Sequence, residues 1–161
     1  MQIDEIEHFT NLLMPRLHKY AYGLVPDGKI ARELIADAYS VFVVREMDFI
    51  KGTQLPEQRK AQAMIKRFFF MGILEEIYQL SLKKSFNIRR VIHQGNPELK
   101  SFYELPVSQR SALILKERLT LTPEAIAQVM KIKKYQVVEA LYNAREVLSS
   151  TEDLGEISAT H

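Results

Sequence analysis

The sequence predicts an all-α fold of two small helical domains joined by a linker, the C-terminal one a helix-turn-helix. Three observations carry this reading. Apolar residues recur at helical spacing along most of the chain, and no stretch alternates as a half-buried strand would. A polar stretch from Ser85 to Glu104, holding Asn87, Gly95, Asn96 and Pro97, separates two apolar sets and is long for a tight loop. The segment from Leu121 to Leu148 has the cap, turn and spacing of two helices that cross steeply. The expected division is 1–84, a linker at 85–104, a second unit at 105–150 and a polar tail at 151–161.

The first helix is expected from Ile3 to Val25, with Ile6, Phe9, Leu12, Leu13, Leu17, Tyr20, Ala21 and Leu24 at helical spacing. Pro15 kinks that stretch or divides it in two. Pro26-Asp27-Gly28 makes a turn in which Asp27 can cap a second helix, Gly28 to Glu46, with Ile30, Leu34, Ile35, Ala38, Val41 and Phe42 facing inward. Met47 to Pro56 reads as a loop. A long helix follows from Glu57 to Lys84. Its centre, Ile65 to Leu74, is apolar on nearly all sides, so it is buried centrally or offers one aromatic face to a partner.

Beyond the linker, Leu105-Pro106 opens a helix to about Leu119 that would support the unit behind it. Thr122 is an N-cap and Pro123 takes the first helical position, where its missing N–H is no loss. Ile126, Ala127, Val129 and Met130 make an apolar face, and Ala127 is small enough for a second helix to cross closely. Ile132 plugs the turn. Val137, Leu141, Ala144 and Leu148 then continue inward at helical spacing. An ordinary helical hairpin would carry much of the same pattern. Cap, small residue and plug together favour the helix-turn-helix, whose second helix enters the major groove in DNA-binding proteins.

Composition narrows the function. The chain has 161 residues and no cysteine, which excludes disulfides and thiolate metal sites. Its four histidines are scattered, so no metal site is expected, and no cofactor is implied. A net charge of +2 permits nucleic-acid binding without requiring it. No apolar run is long enough to span a membrane, and the acidic start MQIDEIEHF lacks a signal pattern, so a cytoplasmic, soluble protein is expected. An enzyme has little support. There is no Gly-rich phosphate loop, and the adjacent Glu75 and Glu76 point in different directions on their helix.

The run from Leu105 to Leu148 resembles domain four of bacterial RNA polymerase sigma factors, most of all the small extracytoplasmic-function group. The matching residues are Leu105, Pro106, Arg110, Ile126, Ala127, Ile132, Val137, Leu141, Ala144, Arg145 and Leu148. The segment ARELIADAYSVF is similar to the polymerase-docking helix of domain two, with Glu33, Leu34, Asp37 and Tyr39 on the family's acidic and aromatic positions. The resemblance covers nearly the whole chain. It implies an alternative sigma factor that directs RNA polymerase core enzyme to specific promoter DNA, with an anti-sigma factor as a further implied partner. It also implies that domain two docks on polymerase and captures the −10 element, and that domain four reads the −35 element.

The pattern departs from the family on the recognition helix, where Val138, Glu139, Ala140 and Asn143 replace a basic or small polar run. Glutamate is repelled by phosphates, and valine and alanine offer a base edge no hydrogen bond. Lys133, Lys134, Gln136 and Arg145 remain as expected DNA contacts, with Lys66 and Arg67 on the long helix. The family's turn glycine is Lys131 here, which removes the easy left-handed residue. Phe49 is a candidate to cradle an unstacked base. The alternative is a sigma-like regulator that binds polymerase or an anti-sigma factor and has lost promoter recognition.

Overall fold

The computed structural model describes residues 1–84 and 99–159, with side chains described as far as Ser150. Among these residues every regular element is helical. The expected linker falls largely at 85–98, outside the described residues.

Helix α1 runs Ile3–Leu24 without a break. Pro15 lies inside it but faces solvent, as does Asn11 four residues before, so water can satisfy the carbonyl that loses its partner. Helix α2 spans Gly28–Arg45 and is capped as expected, the Asp27 carboxylate accepting from Ile30 N at 2.9 Å. The expected loop after it begins instead as a short helix, α3, Met47–Gly52. Ile50 is fully buried there, and its burial fixes a turn that local residue preference does not call for.

Helix α4, Arg59–Lys83, is the central helix of the first half. Phe69, Phe70, Met71, Ile73, Leu74, Ile77 and Tyr78 are all buried, which resolves the apolar run from Ile65 to Leu74 in favour of a central position. Gly72 permits the closest approach of α2 and α4, since a Cβ there would lie 2.1 Å from the Phe42 ring. Phe42 in turn meets Phe69 edge-on, with ring centroids 5.3 Å apart.

The second half begins with a short helix, α5, Lys100–Glu104, inside the expected linker. Helix α6, Val107–Leu113, passes into a π-helical turn at Ile114–Arg118, where Leu119 N donates to Ile114 O at 3.1 Å. Helix α7 is Pro123–Met130 and helix α8 is Lys134–Ala159. The backbone of α8 thus stays helical into the stretch read from sequence as a polar tail.

The two apolar sets form one buried cluster that runs from Ile6 through α4 to Ala144. Helix α1 packs on α6 and the π-turn, and α4 packs on α7. Polar ties reinforce this contact. Arg16 donates to Leu119 O at 3.1 Å while its guanidinium lies 4.2 Å over the Phe70 ring. Arg110, almost wholly buried, donates to Tyr103 O at 2.9 Å, Leu105 O at 2.6 Å and Leu24 O at 3.3 Å. Its two terminal nitrogens are thus held by backbone carbonyls rather than by a carboxylate, its buried Nε has no partner among the described residues, and burial lowers its pKa.

Candidate nucleic-acid interface

The C-terminal helix pair is built by local chemistry. Thr122 Oγ1 accepts from Ala125 N at 3.2 Å, and Pro123 occupies the first turn. The helix ends at Lys131, which takes a left-handed conformation with φ 53° and ψ 44°. This is where a glycine would be unstrained, and a lysine there costs about 1–2 kcal/mol. Ile132 N then donates to Ala127 O at 3.1 Å, closing the turn, and its side chain packs against the core. Gln136 Oε1 accepts from Lys133 N at 2.9 Å, so the glutamine caps the start of α8. Val137, Leu141 and Ala144 are buried, which fixes the outward face of α8.

The expected DNA contacts on this unit are all exposed, but three are engaged within the chain. Lys134 Nζ lies 2.8 Å from Glu124 Oε1, and Arg145 lies 2.7 Å from Glu117 Oε1. Gln136 uses its carbonyl for the cap, which leaves its amide N–H groups for a base edge. The hydrogen bond from Lys134 holds the Glu124 carboxyl below its usual range, helped by Glu124's own backbone N–H at the helix start. Both ion pairs are solvent-exposed, so exchanging Glu124 or Glu117 for a phosphate is inexpensive.

The outward face of α8 carries a feature that sequence reading passed over. Tyr135, Val138 and Tyr142 are 63%, 53% and 62% exposed and share one side of the helix at spacings of three and four residues. The signal was present in the sequence: these are the large residues that alternate with the buried seam of Val137, Leu141 and Ala144.

In the first half, Lys66 and Arg67 sit on α4 but are not equivalent. Lys66 is half-buried, with its Nζ 5.7 Å over the Phe9 ring. Arg67 is exposed and lines a cleft of about 320 Å³ with Phe68, Arg45 and Gln128. Arg45 in that cleft forms an ion pair with Glu76, and Gln128 of α7 donates to Glu75 Oε1 at 3.4 Å. Phe49 and Phe68 stand at one edge of α4 with ring centroids 4.9 Å apart, both partly exposed.

The expected polymerase-docking residues on α2 divide. Glu33 and Asp37 are exposed one turn apart, and Asp37 is 3.1 Å from Lys84 Nζ. Leu34 is buried in the core and offers a partner no surface; its place on the inward stripe with Ile35 and Ala38 dictates this. Tyr39 is half-buried in a cleft with Glu7, Thr10 and Arg32, and burial, followed by the Glu7 charge, raises its pKa.

Among the described residues no group of side chains could hold a metal ion, and no helix is long and apolar enough to cross a membrane. Compared with known proteins, the chain matches no family model and no characterised protein.

Proposed function

We propose that the chain is a sigma-type transcription factor that binds RNA polymerase core enzyme and presents α8 to promoter DNA. The observation that carries this reading is the α7–turn–α8 unit. Its Thr122 cap, left-handed Lys131, Ile132 plug and buried seam set the start of α8, where Lys131, Lys133 and Lys134 are all exposed. A cationic, exposed helix start suits phosphate contact. Docking on polymerase rests on the exposed Glu33 and Asp37 of α2, and its cellular setting is the cytoplasm.

A second reading is favoured by Tyr135, Val138 and Tyr142. An aromatic, apolar face where a reader of bases carries polar groups suits contact with protein, as in a sigma-like regulator that acts on polymerase or an anti-sigma factor. Fluorescence anisotropy of promoter fragments, with and without core polymerase, separates the two. The sigma reading expects polymerase-dependent binding that Lys133→Ala/Lys134→Ala weakens across all sequences. Wild-type binding that is no stronger than the double variant's would favour the regulator.

A further inference from the structure

We propose that the cavity between α1, α5 and the π-turn is a binding site for a small amphipathic carboxylate. The cavity holds about 500 Å³ and has largely apolar walls, with Tyr22, Phe102, Tyr103, Leu113 and Ile114 among them. Small-molecule sites usually lie between about 300 and 1,000 Å³ and combine such walls with a few convergent polar groups.

Here those groups are cationic or hydrogen-bond donors. Lys19 and Arg118 line the cavity, and neither has an ion-pair partner among the described residues. Among the described residues the one carboxylate in the lining, Glu117, is already held by Arg145 at 2.7 Å. The local balance is therefore positive around an apolar floor. Tyr103 lines the cavity beside them. Burial raises its pKa first, Tyr22 adds to that, and Arg110 and Arg118 oppose it. A carboxylate placed there would accept from both tyrosine hydroxyls and from the Arg118 guanidinium, in the charge-assisted geometry that arginine favours.

The backbone beneath the site is specialised. The π-turn adds a residue to the helix, and such turns recur at functional sites. It seats Ile114 against Gly23, where a Cβ would lie 2.6 Å from Ile114 Cδ1, and places Glu117 and Arg118 along the cavity. The walls come from both halves of the chain, so an occupant would stabilise their packing by mass action. The site stands independently of the transcription reading.

The chain has no tryptophan, so the fluorescence of a naphthalene probe can be read directly. Full-length protein is titrated with 2-naphthoate and, as an uncharged control, with 2-naphthylmethanol. Saturable 1:1 binding is expected, with the carboxylate preferred by about fivefold or more, given charge-assisted contacts discounted for exposure. Lys19→Ala/Arg118→Ala should remove that preference and leave naphthylmethanol binding unchanged. Lys133→Ala/Lys134→Ala, which lies away from the cavity, should leave both intact. All four positions are exposed, so the variants keep the fold, and unchanged thermal midpoints verify it. Non-saturable binding, a preference that survives Lys19→Ala/Arg118→Ala, or equal loss in the Lys133/Lys134 variant would each overturn the assignment.

Discussion

The Tyr20 phenol and the Ser111 hydroxyl lie 2.7 Å apart in the buried centre of the molecule, joining α1 to α6 across 91 residues of sequence. Burial raises the Tyr20 pKa well above a phenol's ordinary value, so the group stays protonated and keeps a proton to share with Ser111. Tyr20→Phe strands the serine hydroxyl and should lower unfolding stability by about 1–3 kcal/mol. Adding Ser111→Ala removes the stranded group and should recover part of the loss. A denaturant double-mutant cycle checks this; strictly additive losses would mean that the two hydroxyls do not interact.

Gly72 offers a sharper test of packing. Gly72→Ala forces a methyl into the Phe42 ring, and the ring is itself held by Phe69. Overpacking of this kind should cost about 1–3 kcal/mol. Gly52, at the end of α3, has open space around it, so Gly52→Ala should leave the thermal midpoint unchanged or slightly raised. Equal effects at the two glycines would contradict the close α2–α4 contact.

The Lys134–Glu124 pair makes a pH prediction. The folded-state pKa of Glu124 is depressed, so the interaction is present above the ordinary glutamate range and is lost as pH falls through the folded value. Carboxyl-carbon NMR titration should place the Glu124 midpoint below that of an unperturbed glutamate, and Lys134→Ala should return it most of the way. A midpoint unmoved by the substitution would show that the pair does not form in solution.

Much of the fold was legible in the sequence because the helices carry apolar residues at helical spacing and two of them carry side-chain caps. Asp27 and Thr122 accept the hydrogen bonds their side chains suggested. Pro15 shows where local rules run out: a helix with its proline turned to water continues through it. Helix α3 and the π-turn are set by tertiary burial of Ile50 and by the seat of Ile114 on Gly23, neither of which has a local signature. The joining of two apolar sets into one cluster was equally hidden, since periodicity tells which face is buried but not against what. In the candidate site, the exposure of Lys133, Lys134 and Arg145 was readable from helical phase. Their engagement with Glu124 and Glu117 depends on elements distant in sequence. The inward place of Leu34 followed from its own stripe, and only the family resemblance drew it towards a surface role.

The proposed docking on RNA polymerase would put the exposed Asp37 of α2 at the contact. The most direct test is size-exclusion co-elution of the purified chain with purified bacterial core polymerase, alongside Asp37→Lys. Charge reversal at a complementary contact weakens association, and at this exposed site the variant should keep its thermal midpoint. The expected result is a one-to-one complex with the wild-type chain and a clearly reduced one with the folded variant. Failure of the wild-type chain to co-elute with polymerase would contradict the claim, and an undiminished complex with Asp37→Lys would remove α2 from the interface.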